Sequence, residues 1–302
     1  MKKTTVSICI PAYNEEKNIT NILNELINQQ TEKIEIDKII VVSSASTDDT
    51  DKIVEEFCKK DSRVKLVKQV KREGKAAAIN EFLKHTDDHI IVLQSADTIP
   101  EPYTIENLCL PLVIDEKIGM TGGAPYPVDD PETFLGYIIH AWWWFHRRIP
   151  RFGEIIAFRN ILGELSSTTA VDEAYIQAKM VQQGLHVVFV ENAVVFNKGA
   201  DTVSDLVIQR RRVFNGHARL QQEENVHIDN MTKSSIKLLL FEYEMKNLKE
   251  LIWFMSGIGI EAYARVLGAY DLKVKGRNPF IWDTAGTTKD LTGNNGGVVK
   301  EW

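Results

Sequence analysis

The stretch VSICIPAYNEEKNITNILNELINQ, residues 6–29, joins a short apolar run to a segment with helical periodicity. VSICI at 6–10 is rich in residues that favour strands, and Pro11 follows it directly. Apolar side chains then recur at 19, 22, 23, 26 and 27, which is the spacing of one helix face. The stretch therefore predicts a strand followed by an amphipathic helix.

The same order repeats along the chain. KIIVVS at 38–43 precedes a second amphipathic helix within 46–60, and VKLVKQV at 64–70 precedes a third helix at 74–85. A fourth strand begins at 90 with IIVLQ. Strands that alternate with helices pair in parallel, so the sequence predicts a doubly wound, mostly parallel α/β sheet flanked by helices.

The segments that follow these strands predict the position of a binding site. Ligands of such sheets bind in a crevice outside the carboxyl ends of the strands. We therefore expect four segments to line one crevice, namely Pro11 to Glu15, Ser43 to Thr47, Arg72 to Lys75 and Ser95 to Asp97.

The pattern changes after Pro125. Residues 134–148 and 171–183 predict two further helices, and HVVFVENAVVF at 186–196 predicts a pair of strands broken at Glu191 and Asn192. From about residue 204 the chain reads as helical. An apolar helix is predicted at about 236–270.

Composition narrows the class of protein. The chain has 302 residues and a formal net charge of −6, which argues against a nucleic-acid partner. Its three cysteines, Cys9, Cys58 and Cys109, have no metal-type spacing and read as reduced core residues, which predicts a cytoplasmic compartment. The apolar stretches at 134–145 and 251–260 are too short to span a bilayer, which takes roughly 20 residues.

Six segments now show a resemblance to a known family. VSICIPAYNEEKNI, KIIVVSSASTDDT, REGKAAAIN, IIVLQSADTIPEP, AVDEAYIQAKMVQQGLHVVFVENAVVF and QRRRV occur in this order between about residues 5 and 220. Together they resemble the landmarks of the family 2 inverting glycosyltransferases, which have the GT-A fold. The resemblance implies a nucleotide-sugar-binding and catalytic domain at 1–203. It leaves 204–302 as a C-terminal helical extension with a possible membrane-facing side and a flexible tail.

The resemblance assigns the donor nucleotide to the first two strand ends. In the family, residues matching Pro11, Tyr13 and Glu15 border the base and ribose, and a tyrosine offers a flat face and a hydroxyl. The family usually has two aspartates where Ser43 and Ser44 stand. Ser44 can still hydrogen-bond a base or ribose, but it lacks the charge of a carboxylate. A UDP-sugar is the expected donor, and a GDP-sugar remains open.

The next two segments are expected to meet the diphosphate. In REGKAAAIN, Lys75 follows Gly74 at a helix start, where a phosphate-bearing ligand can approach closely. In SAD, Ser95, Ala96 and Asp97 match the family's DxD motif with its first aspartate replaced by serine. The resemblance implies that Asp97 holds Mn²⁺ or Mg²⁺ against the donor phosphates. One carboxylate predicts weak metal affinity that rises when the sugar nucleotide binds.

The acidic pair in AVDEAYI is expected to supply the catalytic base. In the family, the second acid of such a pair, on the first turn of a helix, deprotonates the acceptor hydroxyl. The separation between Glu173 and Gly184 agrees with the family's separation between the base and a glycine, so the resemblance implies that Glu173 is the base. Asp172 is the reserve candidate. The structural alternative is that both acids only stabilise a helix N-terminus.

QRRRV resembles the QxxRW motif of processive members of the family. Gln209 and Arg212 match it, and Val213 replaces the tryptophan, which puts processive synthesis in doubt. An arginine there would bind the diphosphate with two hydrogen bonds. A solvated basic helix face is the structural alternative.

HAWWWFHRR at 140–148 bears on the acceptor. Some of these aromatic side chains are expected in the core, but tryptophans beside basic residues also suit a membrane interface or a lipid phosphate. We therefore keep two acceptors open, a glycan and a lipid-linked molecule, together with peripheral contact at the inner face of the membrane.

These features predict an inverting, metal-dependent glycosyltransferase of the hexosyltransferase type. Two other classes of protein remain open. A nucleotidyltransferase also combines an α/β sheet with carboxylate-held Mg²⁺, although PAYNEE is acidic where such enzymes have a basic, Gly-rich loop. A degenerate nucleotide-sugar-binding protein would explain the two altered aspartate motifs.

Overall fold

The computed structural model describes residues 3–149, 152–224, 241–276 and 278. Helices lie on both faces of one eight-stranded sheet. The strands are β1 Thr4–Ala12, β2 Ile34–Ser44, β3 Val64–Gln69, β4 Ile90–Gln94, β5 Thr98–Pro100, β6 Ile118–Pro127, β7 Ile155–Arg159 and β8 His186–Asn197. The helices are α1 Ile19–Ile27, α2 Thr50–Lys60, α3 Lys75–Leu83, α4 Thr104–Ile114, α5 Phe134–Arg148, α6 Asp172–Gln182, α7 Val203–Glu224 and α8 Leu248–Lys273.

The sheet has two halves with different pairing. Its strand order is β3-β2-β1-β4-β7-β6-β8-β5. The first four strands are parallel to one another, as the alternating pattern predicts. In the second half, β7 runs antiparallel to both β4 and β6, β8 is parallel to β6, and β5 is antiparallel to β8. The predicted α/β sheet is therefore confirmed, with antiparallel strands in its second half.

The first strand shows why the sheet is covered on both faces. Val6, Ile8 and Ile10 of β1 point into one apolar core, which they share with α1, α2 and α4. Cys9 lies on the opposite face, in a second core that includes residues of α3 and α6. Successive side chains of a strand point to opposite faces, so a strand buried on both faces is a continuous apolar run.

The prediction of two strands at 186–196 is wrong. The structure has one strand, β8, whose register against β6 shifts between Gly122 and Ala124. Opposite that step, β8 carries extra residues, and the side chains of Glu191 and Asn192 among them are exposed. A bulge lets a strand accommodate polar residues and continue, so the Glu-Asn pair does not end it.

The C-terminal helices pack on the rest of the molecule. Arg210 and Arg211 of α7 form ion pairs with Glu261 and Asp271 of α8. The apolar helix predicted at about 236–270 is interrupted: residues 241–242 are helical, 243–247 are not, and α8 begins at Leu248. Residues 236–240 and the predicted flexible tail lie outside the described residues. No helix among the described residues is both long and apolar enough to cross a membrane. The domain boundary at 203/204 stays a prediction.

Candidate active site

A cavity of about 610 Å³ opens at the edge of the sheet where the parallel strands end. All the residues to which the sequence assigns a role line this cavity. They are Pro11, Tyr13, Glu15, Ser44, Lys75, Ser95, Ala96, Asp97, Asp172, Glu173, Gln209 and Arg212. Of the expected segment Ser43 to Thr47, however, only Ser44 lines the cavity, and in two other expected segments Asn14 and Glu73 do not.

The strand order sets the sequence of side chains along the cavity. Ser44 ends β2, Tyr13 follows β1, and Asp97 follows β4. Glu154 precedes β7, which is antiparallel and so begins at this same edge, and Asn197 ends β8. Neighbouring strands lie about 4.8 Å apart, so four strand steps separate Tyr13 from Asn197 by roughly 19 Å. That length accommodates a ligand much larger than a nucleotide base.

Hydrogen bonds hold together the loops after β1 and β2, which form one end of the cavity. Asn14 has φ 54°, in the left-handed region that asparagine tolerates, and its Oδ1 accepts a hydrogen bond from Thr47 N at 2.8 Å. Glu15 N donates to Thr50 Oγ1 at 2.8 Å. The Arg72 guanidinium lies over the Tyr13 ring, with Cζ 3.9 Å from the centroid. A planar group would therefore meet an aromatic ring already stacked against a cation.

Ser44 lies beside this loop pair with an unsatisfied hydroxyl. Its side chain is 6% exposed, and its Oγ has no hydrogen-bond partner within the described part of the chain. An unpaired buried polar atom costs free energy unless a ligand or a water satisfies it. The hydroxyl lines the cavity and is therefore a candidate contact for a ligand.

Lys75 lies at the N-terminus of α3, next to a glycine with a special backbone. Gly74 has φ 92° and ψ 171°, a conformation that glycine adopts far more readily than other residues. The Lys75 ammonium forms an ion pair with the Glu173 carboxylate. Burial lowers the pKa of Lys75, but the nearby charges of Glu173 and Asp172 outweigh that effect, and the pKa is raised overall.

The SAD segment forms a tight turn that places Asp97 at the cavity. Thr98 Oγ1 donates to Ser95 O at 3.1 Å, closing the turn. Ser95 N donates to Glu154 O at 3.1 Å, which ties this turn to the start of β7. Asp97 thus lies between the β1–β2 end of the cavity and the second half of the sheet.

The acidic pair begins α6, as predicted, and faces the same cavity as Asp97. Asp172 is 1% exposed, and its Oδ1 lacks a hydrogen-bond partner among the residues described. Burial raises the pKa of Asp172, with Lys75 opposing this shift and Glu173 adding to it. Of the two acids, Glu173 is the one that forms an ion pair with Lys75 at the cavity wall.

The three consecutive arginines have different surroundings. Arg210 Nε and Glu261 Oε2 are 2.7 Å apart, and Arg211 Nη2 and Asp271 Oδ1 are 2.6 Å apart, so both join α7 to α8. Arg212 is affected instead by the charges of Glu173, Asp172 and Asp97, while burial lowers its pKa. The QRRR segment is therefore not a solvated helix face.

Glu154 is a cavity residue that sequence reasoning missed. Burial, with the charges of Glu173 and Asp97, raises its pKa to about 8, although Lys75 and Arg210 act in the opposite direction. No family landmark covers it, because it precedes a strand instead of following one. The available signal was its position immediately before the apolar run IIAF, which predicts that strand.

The three half-buried tryptophans of α5 have different surroundings. Trp142 and Trp143 line the cavity, and the Arg210 guanidinium lies 4.9 Å from the Trp142 ring centroid. Trp144 packs edge-on against Tyr243, with ring centroids 5.1 Å apart. The aromatic run thus supplies one wall of the cavity and part of a third apolar cluster between α5 and α8.

The residues of the cavity suit a divalent cation only if a bound molecule supplies further oxygen ligands. The described residues contain no cluster of three His, Cys, Asp or Glu side chains arranged to hold a metal. Asp97 offers one carboxylate at the cavity edge, and hard cations take several oxygen ligands. The donor set therefore suits Mn²⁺ or Mg²⁺ that is also held by oxygens of a bound diphosphate.

The comparisons with known proteins agree with this geometry. The family model described as Glycosyl transferase family 2 matches residues 7–170, so this chain belongs to that family. A probable glycosyltransferase of Bacillus subtilis, YdaM, is 28% identical over 233 residues, which cover 70% of this chain and 55% of that protein. The chain spans about half the length, or less, of the curated relatives that it matches.

Solved structures share the fold. The mannosyltransferase PcManGT from Pyrobaculum calidifontis, in complex with GDP-Man and Mn²⁺, superposes with a TM-score of 0.58 at 21% identity. The match covers 92% of this chain and 82% of that one. Glucosyl-3-phosphoglycerate synthase from Mycobacterium tuberculosis, in complex with Mn²⁺, UDP and glucosyl-3-phosphoglycerate, has a TM-score of 0.50 at 22% identity. The match covers 72% of this chain and 80% of that one. The GT-A fold is thereby confirmed.

Proposed function

We propose that this protein is an inverting glycosyltransferase that moves a sugar from a nucleotide-diphosphate donor to an acceptor hydroxyl. The observation that carries the proposal is one shared cavity. Asp97 and Glu173 both line it, and the charges of both act on Lys75 and Arg212. A donor diphosphate and an activated acceptor need cations and a base within reach of each other.

The nucleotide is proposed to occupy the end formed by β1 and β2. Tyr13 and Ser44 would contact the base and ribose, with Pro11 and Glu15 shaping the same pocket. The unsatisfied Ser44 hydroxyl supports this assignment. A serine both donates and accepts hydrogen bonds, so it is compatible with either UDP or GDP.

The diphosphate is proposed to lie beside Asp97. Lys75, Arg212 and Gln209 would hold its oxygens, with the Ser95–Ala96 backbone beside them. A divalent cation bound by Asp97 and the phosphates would neutralise the charge of the leaving group. The raised pKa of Lys75 supports its role as a permanent cation at this place.

Glu173 is proposed as the general base, with Asp172 as the reserve. It would take the acceptor proton as the acceptor oxygen attacks the anomeric carbon opposite the leaving diphosphate. One such displacement inverts the configuration and needs no nucleophilic side chain. The ion pair with Lys75 supports this assignment, because it places the Glu173 carboxylate at the cavity wall beside the proposed diphosphate site.

The acceptor is proposed to bind at the β8 end, against Trp142 and Trp143 of α5. Three cations near this end are already paired with carboxylates, namely Lys198 with Asp201, Arg210 with Glu261 and Arg211 with Asp271. An aromatic wall with compensated charges favours an uncharged glycan hydroxyl. A lipid-linked acceptor is the alternative, and an acceptor panel that contains both kinds separates them.

Peripheral membrane contact is proposed for α8. The exposed side of this helix carries no charged residue from 251 to 270. Large apolar side chains on it include Ile252, Met255 and Val266. An apolar helix face can lie in a membrane interface. Wild-type protein should sediment with anionic vesicles, and the double variant with Ile252 and Val266 changed to Glu should stay in the supernatant. Wild-type protein that stays in the supernatant contradicts the proposal.

A ligand screen followed by product analysis tests the proposed function. We expect UDP or GDP to raise the thermal stability of the protein, more strongly with Mn²⁺ than without it. The matching sugar nucleotide should then be consumed with release of the diphosphate. The transferred sugar should have the opposite anomeric configuration, as read by NMR coupling constants.

Three results would point away from this function. Formation of pyrophosphate from a nucleoside triphosphate and a sugar phosphate indicates a nucleotidyltransferase. Tight binding of a sugar nucleotide with neither transfer nor hydrolysis indicates a binding protein. Retention of the anomeric configuration contradicts the single displacement at Glu173.

A further inference from the structure

We propose that Glu154 recognises the transferred sugar by hydrogen-bonding its hydroxyl groups, and so helps to select which sugar the protein uses. This inference rests on the proposed function and adds a residue outside all the family landmarks. It follows from the position of Glu154 along the cavity, its charge and its lack of a partner.

The position comes from the sheet. Gln94 of β4 is the partner of Ile155 of β7, so Glu154 lies directly beside the turn that carries Asp97. It is on the side of that turn away from Tyr13, towards Asn197. If the nucleotide lies over β1 and β2 and the diphosphate over Asp97, the group next along the edge is the sugar.

The chemistry of a carboxyl group suits the sugar better than the phosphates. Burial raises the pKa of Glu154, the nearby carboxylates of Glu173 and Asp97 add to this, and Lys75 and Arg210 oppose it. A carboxyl group brings no positive charge to a phosphate, whereas it hydrogen-bonds hydroxyl groups, as acceptor when ionised and also as donor when protonated. Its carboxyl makes no hydrogen bond or ion pair with the residues that the structure describes, and it lines the cavity, so it is available to a ligand.

The backbone around Glu154 is fixed in place. Its carbonyl accepts the hydrogen bond from Ser95 N. Two residues earlier, the Phe152 ring covers Gly122, where an added Cβ would come within 1.9 Å of the ring. A side chain on such a supported segment can discriminate among sugars because it does not move to suit each one.

The test compares the affinity for a nucleotide with that for its sugar derivative. Isothermal calorimetry with Mn²⁺ would measure UDP, UDP-glucose, GDP and GDP-mannose binding to the wild type, E154Q, E154A and E191A. For the nucleotide that binds, E154A should retain the affinity within about twofold, while affinity for the sugar nucleotide falls about tenfold, the effect of one lost hydrogen bond. E154Q should fall between wild type and E154A.

The exposed Glu191 on β8 provides the matched control, and E191A should bind every ligand as the wild type does. Thermal unfolding checks that each variant is folded. Equal losses for nucleotide and sugar nucleotide in E154A would overturn the inference and make Glu154 part of the diphosphate or metal site. Unchanged affinity for both would overturn it as well. A wild-type protein that binds none of the four ligands would instead overturn the proposed function itself.

Discussion

The two halves of the sheet contribute to the cavity in opposite ways. In the parallel half, β1, β2 and β4 each end at the cavity, so their contributions follow the strands in the sequence. In the second half, the antiparallel β7 begins there, so its contribution, Glu154, precedes the strand. A search for polar residues after apolar runs therefore finds the first half of the site and misses part of the second.

The largest expected effect tests whether the two halves act on one reaction. Glu173→Gln removes the proposed base while keeping the shape of the side chain. Transfer should fall about 10²- to 10⁴-fold, the usual contribution of a general base, while donor binding survives. Steady-state kinetics and calorimetry on the same preparation measure both quantities.

Two variants serve as controls for Glu173→Gln. The exposed Glu191→Gln on β8 should transfer sugar at the wild-type rate. Asp172→Asn distinguishes the two acids of the pair, because the assignment predicts a smaller loss of transfer than at Glu173. If Asp172→Asn abolishes transfer and Glu173→Gln does not, the reserve acid is the base.

An intermediate effect concerns the adjacent arginines of α7. Arg212→Gln should weaken nucleotide-diphosphate binding about 10- to 100-fold, because a charged hydrogen-bond donor to the phosphates is lost. Arg211→Gln should instead lower thermal stability, since Asp271, which is 6% exposed, would lose its ion pair with Arg211. Calorimetry and thermal unfolding of both variants should give opposite patterns. Equal effects on binding would contradict the different roles that we assign to the two residues.

Local sequence patterns predict part of the sheet and of the site, but not the long-range contacts. The strand-helix alternation predicts the parallel half, and the strand ends predict Tyr13, Ser44 and Asp97 at one cavity. The Lys75–Glu173 ion pair joins residues 98 positions apart, a long-range contact that no local pattern encodes. The different contacts of Arg210, Arg211 and Arg212 depend on which residues lie opposite each side chain, and tertiary packing decides that.

The smallest expected effect is the pH dependence of stability at Glu154. An unfolded glutamate ionises near pH 4.5, whereas burial raises the folded pKa to about 8. Between these values the folded state holds one more proton, so stability falls as pH rises through this window. Glu154→Gln should remove this loss, a gain on the order of 1 kcal/mol at pH 9 once solvent screening at the cavity mouth is allowed for.

Thermal unfolding of wild type and Glu154→Gln at pH 5 and pH 9 measures this effect. The two proteins should differ little at pH 5, and the variant should be more stable at pH 9. The exposed Glu191→Gln should match the wild type at both values. A variant that is less stable than wild type at pH 9 would mean that the carboxylate has a partner in solution.

The central claim is that one cavity holds the donor diphosphate at Asp97 with the base Glu173 in the same space. A crystal structure with Mn²⁺ and whichever of UDP and GDP binds tests it most directly. We predict the base and ribose at Tyr13 and Ser44, and the diphosphate between Asp97 and Arg212, with the space beside Glu154 and Glu173 left for sugar and acceptor. A nucleotide bound outside this cavity, or bound in it with its phosphates directed away from Asp97, would contradict the claim.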